Sequence, residues 1–387
     1  MRIAIEALSL IPGKTGGIET YVRNLVCQMV RIAPENDYLI AVGYEAAGEF
    51  AACSPRLEEF NADYKHKSLP KSHRLIRSLQ QCWEFHKKLR SWAPDVVHCA
   101  MSFPKPPWGA RNMIVTVHDV GMIELARMWG DAKPGVAGFL MWLAARKASM
   151  VITVSEFAAA RIADRFSIPM ERIYVTYNGV DRTQFRPPDE LSGNSTIRAT
   201  LQKYKLGSEY VFYPAHTHYH KNHAGLIKAL RIVSERYGIQ PMLVLTGAPS
   251  HAHDHVMQIV HRLGVERQVR WLGRVPIEDL VALYWGAKAM IFPSFYEGFG
   301  LPVVEAMACG CPVACSNTTA TAEVAGDAAL TFDPSDPEAI AEAIFRVLTD
   351  SGLRAKLIEK GLLRSQKFSW ENTARGTLDV YERVVRG

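Results

Sequence analysis

The stretch 294–313 has the pattern of a strand end, a glycine loop, a short helix and the start of another strand. Gly298 and Gly300 allow the backbone to turn sharply and to approach a ligand closely. Pro302 fits the first turn of a helix, because backbone N–H groups make no intrahelical hydrogen bond there and proline lacks one. Gly310 favours a helix end. This succession is typical of a parallel α/β sheet, and it constrains the fold more than any other part of the chain.

Two carboxylates bracket this unit, Glu297 in the loop and Glu305 in the helix. The amides at the helix start, from Gly298 to Leu301, suit a phosphate. A carboxylate repels a phosphate, so we expect the two glutamates to accept hydrogen bonds from hydroxyl groups instead. A ligand with phosphates between two polyols is a nucleotide-sugar, with the ribose at Glu305 and the transferred sugar at Glu297. Either glutamate alone could also be a simple capping residue near a helix start.

The string Glu297-Gly-Phe-Gly-Leu-Pro-Val-Val-Glu305 resembles the signature of the retaining glycosyltransferases of family four. The resemblance implies the α/β GT-B fold, with two Rossmann-like domains facing each other across a cleft and a C-terminal helix crossing back to the first domain. It also implies a nucleotide-sugar donor and transfer with retention of configuration.

The chain of 387 residues is long enough for two domains. Short apolar strands alternate with helical patterns in both halves, which predicts two parallel sheets. A polar segment containing Pro187-Pro188 and Ser192-Gly193-Asn194 indicates a linker, and Phe368-Ser-Trp370 resembles the start of the returning helix. The predicted division is residues 1–190 on the acceptor side, 191–207 as linker, 208–368 as nucleotide-sugar domain, and 369–387 as returning helix.

In the first domain, a strand over Arg2–Leu8 precedes a loop with Gly16 and Gly17, and a helix is predicted over Ile18–Ile32. This is the geometry of a phosphate site, although most glycine pairs are merely turns. The resemblance implies that this loop faces the donor phosphates. His118 lies at the end of another strand, where it is either a core histidine or, as the resemblance implies, a contact to the transferred sugar.

Lys221 follows the first strand of the second domain and can place a positive charge on the leaving pyrophosphate. The family carries an arginine five residues earlier, where this chain has His216. A neutral imidazole has no charge, although a nearby pyrophosphate could raise the pKa of His216 and restore the cation. Near Leu272-Gly-Arg274-Val275, backbone groups would contact the base, and the Arg274 side chain a phosphate or the base.

The predicted catalytic residues are therefore Glu297, His118 and Lys221. The predicted donor-binding residues are Gly16, Gly17, His216, Lys221, Arg274, Val275, Glu297, Gly298, Phe299, Gly300, Leu301 and Glu305. No metal or cofactor is expected, because no Asp-x-Asp motif occurs and the histidines near 216–223 and 251–261 are not paired with other ligand types.

Composition indicates a globular protein, with 48% hydrophobic and 22% charged residues. Seven scattered cysteines favour reduced thiols and a cytoplasmic protein, and Cys309 and Cys311 are expected to be buried. The N-terminus has the pattern of a strand, not of a signal peptide, and no apolar run predicts a membrane span.

The net charge of +6 is concentrated in the basic segment 65–92, which holds eight basic residues and one acidic residue. A helix is predicted from Ser72 to Trp92, with an apolar stripe of Leu75, Leu79, Trp83 (or Cys82) and Leu89. The segment is either a solvated charged face or a docking surface for an anionic membrane, which would make the protein peripheral on the inner face of the cell membrane. No nucleic-acid module is recognisable.

Tyr213-Pro-Ala and the string from His220 to His223 resemble enzymes that transfer mannose from GDP-mannose in bacterial surface polysaccharides. The expected acceptor is a glycan or a polyprenyl-diphosphate-linked oligosaccharide. The alternatives are a UDP- or dTDP-sugar donor for glucosyl, galactosyl or rhamnosyl transfer, a nucleotide-sugar epimerase, and a non-catalytic nucleotide-binding module.

Overall fold

The computed structural model describes residues 1–62, 74–101, 110–128, 135–189 and 193–387. The chain divides into two compact units. Unit 1 comprises Met1–Gly179 with Trp370–Gly387, and unit 2 comprises Val180–Ser369. The boundary therefore lies about ten residues before the predicted one at 190.

Unit 1 is a parallel sheet of seven strands in the order β3-β2-β1-β4-β5-β6-β7. Its strands are β1 Arg2–Ala7, β2 Asp37–Val42, β3 Leu57–Asn61, β4 Val96–Cys99, β5 Met113–Thr116, β6 Met150–Thr153 and β7 Ile173–Val175. Its helices are α1 Gly17–Ile32, α2 Arg74–Trp92, α3 Gly121–Met128, α4 Val136–Lys147, α5 Glu156–Phe166 and α14 Trp370–Arg386.

The C-terminal helix α14 belongs to unit 1, as the predicted fold requires. It packs along α1, and the Tyr381 hydroxyl lies 2.6 Å from Nδ1 of His98 on β4. The hydroxyl of Thr373 donates to the carbonyl oxygen of Tyr177 at 2.6 Å. These buried bonds fix the last helix to a sheet that begins more than 360 residues earlier.

Helix α2 buries Leu89 of the predicted stripe, but Leu79 and Trp83 lie on another face. Phe85, Leu89 and Trp92 pack on the sheet, while Leu79 and Trp83 are 62% and 63% exposed. Phe85, Leu89 and Trp92, at spacings of four and three, share one face of the helix. Leu79 and Trp83, four positions apart, share another. Lys65, Lys67 and Lys71 of the basic segment lie outside the described residues.

Unit 2 is a parallel sheet of six strands in the order β10-β9-β8-β11-β12-β13. Its strands are β8 Tyr210–Pro214, β9 Met242–Thr246, β10 Val269–Trp271, β11 Ala289–Phe292, β12 Val313–Ser316 and β13 Leu330–Phe332. Its helices are α6 Gly193–Lys203, α7 His223–Tyr237, α8 His253–Arg262, α9 Ile277–Gly286, α10 Leu301–Ala308, α11 Thr319–Ala325, α12 Pro337–Thr349 and α13 Ser351–Ser365.

In unit 2, β9 and β10 are added on one side of β8, and β11, β12 and β13 on the other, so the parallel neighbours β8 and β11 mark the point where the strand order switches. The loops after these two strands therefore leave the same carboxyl edge side by side, at the position where open α/β sheets bind ligands. These are the loops that contain Lys221 and Glu297.

Two expectations are corrected. The segment 191–207, predicted as a linker, contains α6, which packs on α9, because its polar sequence also contains Ile197 and Leu201 at helical spacing. The cysteines are not all reduced: Cys27 on α1 and Cys53 form a disulfide, because folding brings their Cα atoms within 5.2 Å. Cys309 and Cys311 are buried thiols, as predicted.

Across the ranges that the structure describes, no helix combines the length and apolarity needed to cross a membrane.

Candidate functional site

The loops after β8 and β11 are tied together by buried hydrogen bonds. The amide of Phe295 donates to the carbonyl oxygen of His220 at 2.8 Å. The hydroxyl of Tyr213, on β8, donates to the carbonyl oxygen of Lys221 at 2.8 Å and lies 3.2 Å from the hydroxyl of Ser294. The backbones that carry the predicted donor residues are thus held in one fixed arrangement.

The side chains of Lys221 and Glu297 meet across these loops. The ammonium Nζ of Lys221 donates to Oε1 of Glu297 at 2.6 Å, and the side chains are 20% and 11% exposed. The sequence predicted both residues, one for the diphosphate and one for the sugar, but did not predict that they form an ion pair. Their short separation places a cation and an acceptor carboxylate at one point of the sheet edge.

Gly300 is the residue before helix α10, and its φ of 93° lies in the left-handed region that favours glycine. The helix follows with Leu301 and Pro302, so its first amides lie immediately after the glycine loop, as predicted. Phe299 differs from the expectation for a ligand contact, because its ring is 4% exposed and packs against Phe368 at 5.6 Å. Only the backbone of Phe299 is therefore suited to a donor.

Glu305 lies one turn into α10, and its carboxylate accepts a hydrogen bond from the hydroxyl of Tyr284 at 3.1 Å. Burial raises the pKa of the Glu305 carboxyl to about 7. The group is therefore partly protonated near neutral pH, when it can both donate and accept hydrogen bonds. The buried Tyr284 on α9 is a partner that the sequence did not indicate.

His216 lies near two cations, Arg274 and Lys221. Burial first, and then the positive charges of Arg274 and Lys221, lower the pKa of the His216 imidazole. The imidazole is therefore neutral at pH 7 in this structure, and Arg274 and Lys221 supply the positive charge around it. Val275 follows Arg274 just before α9 and is partly exposed.

Gly247, at the end of β9, was missed by sequence reasoning. Its φ is 117°, and a Cβ added there would lie 2.6 Å from the carbonyl carbon and oxygen of Ala215. Its amide donates to the carbonyl oxygen of Gly273 at 2.8 Å. Only glycine allows the ends of β8, β9 and β10 to approach this closely, and the signal was a glycine directly after a strand.

In unit 1, His118 follows β5 and is 7% exposed. Its Nε2 atom lies 3.3 Å from the carbonyl oxygen of Ala100, and the Tyr21 ring contacts its ring edge to face at 4.7 Å. Burial lowers the pKa of His118 to about 4, so the imidazole is neutral at pH 7. A neutral imidazole can donate one hydrogen bond and accept another from a hydroxyl group.

Below His118, a chain of buried polar groups joins the sheet to two helices. The Thr116 hydroxyl lies 3.1 Å from the hydroxyl of Tyr21 on α1 and 2.7 Å from Nε2 of His98. The other ring nitrogen of His98, Nδ1, contacts the hydroxyl of Tyr381 on α14. Sequence reasoning missed this chain, because its members are between 18 and 283 positions apart.

Gly16 and Gly17 form the start of α1. Gly16 is the residue before the helix with φ of 62°, and a Cβ there would have no neighbour within 4 Å. Gly16, Gly17 and His118 therefore belong to unit 1, and the remaining predicted site residues belong to unit 2. Among the described residues, no group of three or more His, Cys, Asp or Glu side chains could hold a metal ion.

Two parallel Rossmann-like units, a glycine loop before a short helix and a C-terminal helix that returns to unit 1 define the GT-B class of glycosyltransferases. Residues 15–184 match the family described as Glycosyltransferase Family 4, and residues 197–364 match Glycosyl transferases group 1. The O-antigen chain mannosyltransferase B of Escherichia coli is 32% identical over 316 residues, which are 81% of this chain and 80% of that protein. The chain belongs to these glycosyltransferase families.

The solved structures that resemble the chain have the same fold. The sucrose-phosphate synthase of Thermosynechococcus elongatus superposes with a TM-score of 0.80 at 18% identity, over 100% of this chain and 99% of that one. Anabaena HepE in complex with UDP-glucose gives a TM-score of 0.75 at 18% identity, over 100% of both chains. At this identity the likeness establishes the fold alone.

Proposed function

We propose that this protein transfers mannose from GDP-mannose to a hydroxyl group of a glycan or lipid-linked glycan in cell-surface polysaccharide synthesis. The observation that carries the proposal is the 32% identity, over four fifths of both chains, to an O-antigen chain mannosyltransferase. The group at the edge of unit 2 supports it, because a cation, a carboxylate and a helix start lie together there.

In this proposal, the diphosphate binds the amides from Gly298 to Leu301 and the ammonium group of Lys221. A lysine has three N–H donors, so the bond from Lys221 to Oε1 of Glu297 leaves two for phosphate oxygens. Arg274 supplies the second positive charge, in place of the arginine that family members carry where this chain has the neutral His216.

The two carboxylates contact the two polyols of the donor. Glu305 binds the ribose hydroxyls, and the Oε2 atom of Glu297 accepts from the transferred sugar. On the acceptor side, Gly16, Gly17 and the neutral imidazole of His118 contact the sugar and its surroundings.

We propose that transfer proceeds with retention and without a metal. The bond from the anomeric carbon to the diphosphate breaks, and the acceptor oxygen bonds to that carbon on the same face. The acceptor proton passes to the leaving phosphate oxygen. The positive charges of Lys221 and Arg274 stabilise the negative charge that develops on the diphosphate, which is the largest electrostatic demand of the step.

A UDP- or dTDP-sugar is the second candidate donor. The structure of Anabaena HepE contains UDP-glucose, and its fold covers the whole of this chain. A UDP-glucose or UDP-galactose donor would use the same cations and glutamates, and would differ in the contacts of the base near Leu272–Val275.

A donor panel tests the proposal. The purified protein is incubated with GDP-mannose, UDP-glucose, UDP-galactose and dTDP-rhamnose, with and without a polyprenyl-diphosphate-linked acceptor, and free nucleotide is measured. Acceptor-dependent release of GDP alone, unchanged by EDTA, supports the proposal. Release of UDP or dTDP alone would establish the alternative donor. An epimerised donor or binding without release would contradict transfer, and loss with EDTA restored by manganese would contradict metal independence.

A further inference from the structure

Thr319 has a backbone conformation that is rare for its type. Its φ is 58°, in the left-handed region, and it is the one β-branched residue among the six described non-glycine residues with positive φ. A β-branched side chain at such a φ is a true outlier, because its Cβ substituents crowd the backbone. Strained residues of this kind persist where the surrounding structure holds them, and they concentrate at functional sites.

The side chain of Thr319 supports the backbone of Glu297. The Thr319 hydroxyl accepts a hydrogen bond from the amide of Glu297 at 3.3 Å, across 22 positions of sequence. The same amino acid carries the carboxylate that pairs with Lys221. The strained residue is therefore in direct contact with the loop that bears a predicted catalytic group.

An unstrained residue, Thr318, could have capped the start of α11 in place of the strained Thr319. Thr318 stands in the capping position before α11, with an extended backbone, but its hydroxyl makes no capping bond and has no partner within the described chain. A capping threonine there would satisfy the helix start in the ordinary way. Instead, the following residue adopts the left-handed conformation, and its hydroxyl is directed to Glu297.

A second bond joins the same two loops. The hydroxyl of Ser316, at the end of β12, donates to the carbonyl oxygen of Ser294 at 2.7 Å. Ser316 bonds to Ser294 and Thr319 bonds to Glu297, so the segment that follows β12 holds the loop after β11 on both sides of Phe295 and Tyr296. The rotation of the peptide that precedes Glu297 is therefore set by the neighbouring strand.

We propose that Thr319 is a positioning residue, which holds the Glu297 backbone so that the carboxylate meets both Lys221 and the transferred sugar. The proposal rests on the sugar-binding role proposed for Glu297. Displacement of a catalytic group by about 1 Å can lower a rate by roughly 100-fold, so a single backbone bond is enough to matter.

The experiment compares three variants of the full chain. Thr319→Val keeps the shape and loses the hydroxyl, Thr319→Ser keeps the hydroxyl, and Thr319→Gly removes both the strain and the hydroxyl. With GDP-mannose and acceptor, we expect kcat to fall at least about tenfold in the valine and glycine variants and to stay within about threefold of wild type in the serine variant. The dissociation constant for GDP alone should stay within about twofold in all three variants, because GDP lacks the transferred sugar that Glu297 contacts in our proposal.

The matched control is Lys205→Gly, which relieves a left-handed φ of 54° at the exposed end of α6. It should leave kcat unchanged. A valine variant with wild-type kcat, or a serine variant as slow as the valine variant, would overturn the proposal.

A second readout does not depend on the activity. Amide hydrogen exchange at Glu297 should be faster in Thr319→Val and Thr319→Gly than in wild type and in Thr319→Ser. If no donor is turned over but this exchange pattern appears, the positioning contact stands and the proposed transferase function fails. An unchanged exchange rate in Thr319→Val would overturn the contact itself.

Discussion

The pair of Lys221 and Glu297 gives each residue a role that neither has alone. The ammonium group, in the loop after β8, binds one oxygen of the carboxylate. In our proposal the other oxygen binds the transferred sugar. Because both side chains are mostly enclosed, their interaction is screened less by solvent than a surface pair. The pair should therefore behave as one unit in mutant kinetics.

We predict that Lys221→Met and Glu297→Gln are coupled. Each single variant should lower kcat/KM by an amount equivalent to about 1.5–3 kcal/mol, the range for a hydrogen bond to a charged group. The double variant should cost less than the sum, with a coupling energy between about 0.5 and 3 kcal/mol. Steady-state kinetics of the four proteins measure this coupling.

The two single variants should also differ in nucleotide affinity. Lys221→Met should weaken binding of GDP, and Glu297→Gln should not, because the carboxylate contacts the sugar in our proposal. Lys288→Met, which breaks a partly exposed pair with Glu209, is the control and should change kcat/KM little. Purely additive effects of Lys221 and Glu297 would show that the pair has no joint role.

At the scale of elements, α2 has two apolar faces with different surroundings. Phe85, Leu89 and Trp92 lie in the core of unit 1. Leu79 and Trp83 are exposed, and the same helix face continues with Lys87, whose side chain is 58% exposed, and with the exposed Arg90. A stripe of two large apolar residues followed by two basic ones suits the headgroup boundary of an anionic membrane.

We predict that this stripe binds anionic vesicles. Lys87→Glu with Arg90→Glu should weaken binding to vesicles that contain phosphatidylglycerol by more than about tenfold, since each basic residue near the surface adds about 1 kcal/mol. Leu79→Gln with Trp83→Gln should weaken it too, but with less dependence on salt. Vesicle sedimentation at low and high salt measures both.

Lys228→Glu, a single charge reversal on an exposed residue of α7, is the control and should have no effect. Lys88 is left unchanged, because its ammonium group is paired with Glu58 and is 24% exposed, whereas Lys87 makes only a 3.8 Å contact with Glu84 and is 58% exposed. Equal binding by wild type and by the variant reversed at 87 and 90 would leave the basic segment as a solvated face.

At the scale of the whole molecule, both units bury neutral histidines. Burial lowers the pKa of His98 to about 3 and of His118 to about 4 in unit 1, and that of His223 to about 3 in unit 2. An unfolded chain binds a proton at these residues below about pH 6.5, whereas the folded chain does not. Their stabilising effect is therefore complete above pH 6.5 and is lost as the pH falls toward 3 to 4.

We predict that the free energy of unfolding falls between pH 7.5 and 5.5. Inside the window each of these histidines contributes up to about 1.4 kcal/mol per pH unit. Glu305 acts in the opposite direction: its raised pKa, about 7, favours folding at low pH, and this contribution is lost as the pH rises through 7. The contribution of one carboxyl offsets that of only one of the three histidines, so the free energy of unfolding should still fall as the pH is lowered. Urea unfolding followed by circular dichroism at the two pH values checks this.

The dependence should weaken in His223→Phe, which removes a buried titrating group, and should persist in His255→Phe, where the histidine is exposed. A urea midpoint that does not change between pH 7.5 and 5.5 would contradict the assignment of neutral buried histidines.

Much of the fold was predictable, because local patterns repeat within a few residues. β1, α1 and α14 begin and end within one residue of the predicted strand Arg2–Leu8, the predicted helix Ile18–Ile32 and the predicted returning helix 369–387. The short edge strands β3 and β7 were missed, since β3 has five residues of mixed polarity and the three residues of β7 are too few to show a period. The exposed face of α2 was misassigned because a helix with two apolar stripes does not show which one is buried.

For the candidate site, the sequence predicted which residues would carry the chemistry, and these roles stay predictions. Glu297, Glu305, Lys221 and the glycines could be found because a strand, a glycine loop and a helix place such groups at a sheet edge by local geometry. It could not show that Lys221 contacts Glu297, 76 positions away, or that Arg274 lies near His216. Such contacts depend on which strands become neighbours.

The sequence by itself determined two parallel α/β sheets, a glycine loop before a short helix, and the identity of the main polar groups, because periodicity and turn chemistry are encoded locally. Only the tertiary structure decided which carboxylate pairs with which cation and that Thr319 is held in a strained turn against Glu297. It also decided that burial raises the pKa of Glu305 and that the hydrogen bond from Tyr284 partly offsets this rise. The physical reason is that hydrogen bonds, desolvation and strain depend on atoms within a few ångströms in space, and folding brings these together from distant parts of the chain.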